Sequence, residues 1–149
     1  MRLRRYIDAL TKLHRKDRGD VARTALIVDD DEASLRLYRL LLEQAQMSVI
    51  DARNGLEALR LAIEFEPDLI VTDIRLPLVS GFEVIRQIRS HPRLRHTPII
   101  VVTAMATEEN RQRSEAAGCD AYLVKPTPVL NFLATVRHCL SRDGLRRRA

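Results

Sequence analysis

The chain has 149 residues, of which 46% are hydrophobic and 30% charged. This suits one folded domain with short appendages and excludes a disordered chain. The formal net charge of +5 invites a nucleic-acid reading, but residues 1–23 carry eight Lys/Arg and three Asp, residues 141–149 four Arg and one Asp, and residues 24–140 only 13 basic against 16 acidic side chains.

The basicity therefore belongs to the two ends, and the middle is mildly acidic. In residues 1–23 the side chains Leu3, Tyr6, Ile7, Leu10 and Leu13 form a stripe at helical spacing. Asp8 and Lys12 interrupt any apolar run there, so a basic amphipathic extension is expected rather than a secretory signal. Ala25–Val28 is a short apolar run, followed by Asp29, Asp30 and Asp31. Residues 33–46 read as a helix with Leu35, Tyr38, Leu42 and Ala45 on its inner face. Met47–Ala52 is a second strand-like segment, and Leu56, Leu59 and Ile63 mark a second helix, ended by Pro67. Leu69–Val71 is a third apolar run. Phe82, Ile85 and Ile88 mark a third helix, before which Gly81 serves a turn, and Pro92 ends it. After the run Ile99–Val102, residues 107–117 read as a polar helix between an N-cap at Thr107 and a stop at Gly118. Ala121–Val124 is the fifth run. Val129, Phe132, Leu133, Val136 and Leu140 mark the last helix, with Thr127 as its cap and Pro128 at its first position. Residues 141–149 are expected to be a disordered basic tail.

Five strand–helix repeats with continuous apolar strands predict a doubly wound parallel α/β sheet, buried on both faces. Function in such sheets gathers at the carboxyl ends of the strands. There the chain places Asp29 and Asp30, then Asp73, then Thr103, then Lys125. Clustered carboxylates need a compensating cation. Hard oxygen donors suit Mg²⁺, which binds one or two carboxylates and keeps room for water and phosphate. One carboxylate is then placed to act as a nucleophile toward phosphorus, with the lysine spreading charge. Cys119 and Cys139 give no zinc spacing and no disulfide framework, so a cytoplasmic setting is expected. No run reaches the ~18 apolar residues of a membrane span.

The stretches Leu26-Ile-Val-Asp-Asp-Asp-Glu32, Val71-Thr-Asp-Ile-Arg-Leu-Pro77, Ser80-Gly81-Phe82, Val101-Val-Thr-Ala104 and Gly118-Cys-Asp-Ala-Tyr-Leu-Val-Lys-Pro126 together resemble the receiver domain of two-component response regulators. The resemblance covers residues 24–140. It implies a flavodoxin-like five-stranded sheet of order 2-1-3-4-5, here with an extra N-terminal helix. It implies Asp73 as acceptor of a phosphoryl group from a histidine kinase or phosphotransfer protein. Mg²⁺ would be held by Asp30 directly, by Asp29 through water, by Asp73 and by the backbone carbonyl of Arg75. Thr103 and Lys125 would bind the phosphoryl oxygens, Ala104 would leave them room, and the Lys125–Pro126 peptide would be cis. Tyr122 would be the switch residue coupled to Thr103, reshaping the face made by residues 107–117, 120–124 and 128–140. Arg75 and Met105 occupy the two positions that tune hydrolysis of the acyl phosphate. Neither orients water, so slow hydrolysis is expected.

The implied protein is a single-domain response regulator, not an enzyme beyond its own aspartyl phosphorylation and dephosphorylation. It would act on a protein target or through a phosphorylation-dependent homodimer. Two other readings are open. A nucleic-acid adaptor would act through the basic termini. A Mg²⁺-dependent aspartyl-phosphate phosphatase of the haloacid-dehalogenase kind would place its nucleophile after the first strand in an Asp-x-Asp pattern and usually carry a cap, whereas the acids after the first strand here are adjacent, a lone Asp73 follows the third, and no room for a cap is expected.

Overall fold

A computed structural model describes residues 23–148, and the side chains of residues 23–142 within it. The predicted N-terminal helix falls on residues 1–22 and lies outside the described residues.

Five strands alternate with five helices: β1 Thr24–Val28, α1 Glu32–Gln44, β2 Ser48–Ala52, α2 Gly55–Phe65, β3 Leu69–Thr72, α3 Gly81–Ser90, β4 Ile99–Thr103, α4 Glu108–Ala117, β5 Ala121–Val124 and α5 Val129–Arg148. All strand pairs are parallel, in the order β2-β1-β3-β4-β5. The three inner strands are buried throughout, whereas the edge strands β2 and β5 are half-buried over most of their length. Continuous apolar runs thus mark the centre of the sheet, as two-sided burial requires.

The strand pleat sends alternate side chains to opposite faces. Leu26, Val28, Ile70 and Val101 join the core beneath α2 and α3. Ala25, Ile27, Val71, Ile100 and Val102 join the core beneath α1 and α5, where Tyr38 packs against Phe132 with ring centroids 4.9 Å apart. Helices α1 to α4 each begin where a short polar side chain can accept an otherwise unpaired N–H. Asp31 caps α1 through Ser34 N–H, Asn54 caps α2 through Glu57 N–H, Ser80 caps α3 through Glu83 N–H, and Thr107 caps α4 through Asn110 N–H.

Four details differ from the sequence reading. Ala45 is the exposed C-cap residue of α1, not part of its inner face. On α2 the core side is Gly55, Ala58, Leu61 and Ala62, while Leu56 and Ile63 point outward at 58% and 51% exposure. The short alanines let the helix lie close to the sheet, and burial follows contact rather than side-chain size. At the start of α5 the first backbone bond runs from Phe132 N–H to the Pro128 carbonyl, so Pro128 precedes the helix. The Thr127 hydroxyl donates to the Val124 carbonyl instead of capping, and Val129 stays exposed. Finally, α5 continues to Arg148, so residues 141–148 extend a helix rather than form a disordered tail.

Candidate functional site

The order β2-β1-β3 reverses the winding of the chain between β1 and β3, which opens a crevice at their carboxyl ends. Two backbone bonds fix the crevice floor: Asp73 N–H donates to the Val28 carbonyl at 2.9 Å, and Asp29 N–H to the Ala52 carbonyl at 3.1 Å. The two carboxylates therefore project side by side from adjacent strands. Asp29 is 3% exposed and Asp73 9%.

Lys125 joins them from the end of β5. Its Nζ donates to Asp29 Oδ2 at 2.6 Å and to Asp73 Oδ2 at 3.1 Å. The Lys125–Pro126 peptide is cis, as expected. The second oxygen of Asp73 accepts the N–H groups of Ile74 at 2.6 Å and Arg75 at 3.3 Å, and that of Asp29 accepts Asp31 N–H at 2.9 Å. Burial pushes the Asp29 carboxyl above its ordinary range, against the opposing pull of Lys125 and Asp31 N–H. Burial alone would lower the ammonium of Lys125, but its bond to Asp29 and the charge of Asp73 raise it on balance.

Asp30 follows on the exposed side of the same edge, and Arg75 is exposed as well. Thr103 is fully buried at the end of β4. Its hydroxyl accepts the Met105 N–H at 3.2 Å. Tyr122 is half-buried, its hydroxyl donates to the carbonyl of the same Met105, and burial raises its ionisation. Thr103 and Tyr122 are thus linked through one backbone residue.

Two contributors were not singled out from the sequence. Ser34 Oγ stands 3.1 Å from Lys125 Nζ and donates to Asp31 Oδ2 at 2.8 Å. Its signal was its place three residues after a capping aspartate. Gly81 does more than open a turn. A Cβ there would stand 2.2 Å from the Asp73 carbonyl oxygen, so the start of α3 touches the backbone of Asp73 itself. Its N–H holds the Ile74 carbonyl at 2.8 Å.

Among the described residues, no three His, Cys, Asp or Glu side chains are preassembled around one cation position. The donors are nevertheless all oxygen: two adjacent carboxylates with Asp30 beside them. Mg²⁺ is bound through one or two carboxylates and keeps several waters, so this donor set suits it. Among the described residues, no helix is long and apolar enough to cross a membrane.

The family model described as the response regulator receiver domain matches residues 25–137. The polar-differentiation response regulator DivK of Brucella anthropi is 44% identical over 118 residues, covering 79% of this chain and 96% of that protein. A CheY-like response regulator receiver domain protein from Methanospirillum hungatei superposes with a TM-score of 0.79 at 30% identity, over 84% of this chain and 98% of the other. The receiver domain of a sensor histidine kinase from Pseudomonas aeruginosa, with a magnesium ion coordinated in its active-site cleft, gives a TM-score of 0.76 at 27% identity, over 81% and 99%. Fold, crevice and family match agree, and the chain belongs to the response regulator receiver domain family of two-component systems.

Proposed function

We propose that the protein is a single-domain response regulator in which Asp73 accepts a phosphoryl group from a histidine kinase or histidine phosphotransfer protein. The observation that carries this reading is the bridge from Lys125 Nζ to Asp29 and Asp73. It puts a buried nucleophile beside a fixed cation at the sheet's switch point. The relative from Brucella, matched over 96% of its length, supports a receiver acting without an attached output domain.

In the transfer, an Asp73 carboxylate oxygen attacks phosphorus, the P–N bond to the donor imidazole breaks, and its electron pair stays on the imidazole nitrogen. Asp30, Asp29, Asp73 and the Arg75 carbonyl would hold Mg²⁺, which supplies charge neutralisation for the transferring group. Lys125 exchanges its bond to the Asp73 carboxylate for one to a phosphoryl oxygen. Ala104 leaves that oxygen room.

The acyl phosphate carries about one more negative charge than the carboxylate. A hydroxyl donor nearby gains by turning toward it. Thr103 is that donor, and turning releases the Met105 N–H. Because Tyr122 holds the Met105 carbonyl, the change reaches the face of α4, β5 and α5. That face would signal to a protein partner or form a dimer.

Labelling by acetyl phosphate in Mg²⁺, read on Phos-tag gels, tests the assignment. Asp73→Asn should abolish the shifted band, and Asp29→Asn should only weaken Mg²⁺ binding, so that labelling survives at a higher Mg²⁺ concentration. A labelled Asp73→Asn protein would overturn it, and loss of labelling through Asp29 as nucleophile would favour the phosphatase reading instead.

A further inference from the structure

The outer face of α2 carries an apolar seam. Leu56 and Ile63 are 58% and 51% exposed, and Leu59 between them is half-buried. Positions 56, 59 and 63 have the three–four spacing of a helix-pairing seam. The opposite side of α2 is already satisfied by the sheet through Ala58, Leu61 and Ala62. The sheet and the neighbouring α3 cover the other sides of α2, and Leu56 and Ile63 stay exposed on the side that neither reaches.

The chain itself holds a matching stripe. Leu3, Tyr6, Leu10 and Leu13 repeat the same three–four spacing, with Ile7 beside them. The polypeptide enters the described structure at Arg23 close to the end of α2. Thr24 N–H donates to Asp68 Oδ2 at 2.9 Å, and Asp68 N–H to the Thr24 carbonyl at 2.8 Å. Asp68 lies three residues past Phe65, the last residue of α2. Residues 14–22 span up to about 30 Å when extended. As a helix, residues 3–13 would measure about 16 Å, which is also the length of α2. The connection is long enough and the lengths match.

Charge selects α2 over the other helices that expose apolar side chains: α5 exposes Val129 and Leu130, but residues 129–142 carry Arg137 and Arg142 and no acid to attract a basic arm. Residues 1–22 carry seven Lys/Arg and three Asp, and residues 55–68 carry Glu57, Glu64, Glu66 and Asp68 against Arg60 alone. Helix α1 also exposes leucines, Leu37 at 44% and Leu40 at 56%. It balances Glu32 and Glu43 with Arg36 and Arg39, however, and so offers no net attraction.

We propose that residues 3–13 form a helix that lies along α2 of the same chain, with Leu3, Tyr6, Leu10 and Leu13 against Leu56, Leu59 and Ile63. The arm covers an acidic, apolar flank and leaves the α4–β5–α5 face open to partners.

A nitroxide attached to the full-length Ala9→Cys protein tests this by paramagnetic broadening of amide signals. Cys139 is buried and the Cys119 thiol is pushed up to about 11 by burial, so at neutral pH the label goes to position 9. Broadening of residues 56–63 is expected, both in the labelled protein alone and after dilution. Broadening centred on α1 or α5, or none at all, would overturn the proposal. So would broadening seen only when spin-labelled chains are mixed with separate isotope-labelled chains, because the occupant would then be a second copy. As an independent arm, Ile63→Glu and Leu10→Glu should each speed amide exchange of residues 3–13 by about tenfold or more, since exchange reports local opening. Position 63 is solvent-facing, so the receiver fold should survive. Unchanged exchange in both variants would also overturn the proposal.

Discussion

Gly81 and Asp73 show how closely chemistry and packing are tied at single positions. A side chain at 81 would run into the acceptor's carbonyl at 2.2 Å, while Thr72 Oγ1 already donates to that oxygen at 2.8 Å. The backbone cannot retreat without moving Asp73. Gly81→Ala should therefore destabilise the protein by about 1–3 kcal/mol, as overpacking does, and should also slow labelling by acetyl phosphate. Urea unfolding and Phos-tag time courses read the two effects separately. Cys119 offers a pH test. Burial pushes its thiol up to about 11, and only the thiolate reacts. Alkylation by iodoacetamide should be slow at pH 7 and rise about tenfold per pH unit until that value is approached, as followed by mass spectrometry. A third prediction concerns Arg75 and Met105. Arg75 is exposed and Met105 packs against the core, and neither is a carboxylate or amide that could hold an attacking water. The phosphorylated form should decay over minutes or longer, measurable by phosphate release. At this scale the acidic and basic site residues were legible in the sequence because charge at a strand end is conspicuous. Ser34 was not, because its partner Lys125 is distant in the chain, and the steric role of Gly81 was not, because it depends on how tightly the loop folds α3 back onto Asp73.

The elements differ in how they are held. Helix α3 buries Phe82, Val84, Ile85 and Ile88, whereas α4 buries only Asn110 and Ser114. What retains α4 is polar and local: Ser114 Oγ on the Asn110 carbonyl at 2.8 Å, and Arg113 over the Phe82 ring at 4.1 Å. An element with so little apolar burial opens easily, so amides of α4 should exchange well before those of α3. The end of α4 is anchored by Arg89, reaching over from α3. Its guanidinium donates to the carbonyls of Gly118, Thr97 and Arg95 and pairs with Asp120 at 2.8 Å. Both partners are mostly buried, at 19% and 14% exposure. Removing one member of such a pair strands the other, so Arg89→Ala should cost about 2–4 kcal/mol in urea unfolding. Arg89→Lys should recover little, because one ammonium cannot replace a planar fork. Helix positions were readable from spacing and so was the cap at Thr107, but the start of α5 and the buried face of α2 were not. Leu56 and Ile63 outweigh Ala58 and Ala62 in hydrophobicity, and only the close approach to the sheet decides in favour of the alanines.

Across the whole molecule, the alternation of apolar strands and amphipathic helices made a doubly wound parallel sheet legible, whereas its order 2-1-3-4-5 came from the resemblance to receiver domains and is the order observed. The arrangement gathers Asp29, Asp73 and Lys125 from three strand ends that are distant in sequence, and it buries Asp29 with its charge only partly compensated. The raised ionisation of Asp29 has a definite sign. Its folded value lies above the ordinary 3.8, so the folded state binds a proton more readily than the unfolded chain. Relative to Asp29→Asn, the native protein should gain stability as pH falls from that raised value toward 3.8. A divalent cation relieves the same strain from the other side. At about ten times its dissociation constant, Mg²⁺ should stabilise the fold by about 1.4 kcal/mol through linkage. That corresponds to a rise in melting temperature of about 3–6 °C for a chain of this size. Because the proton and the cation compete for Asp29, the rise should shrink as pH falls through the raised value. Asp30→Asn should abolish it, if Asp30 is the direct ligand. Differential scanning fluorimetry across a pH series from 7 down to the ordinary 3.8, with EDTA as the reference, measures each arm. A rise that stays the same across the whole series, or an undiminished rise in Asp30→Asn, would place the cation away from these carboxylates.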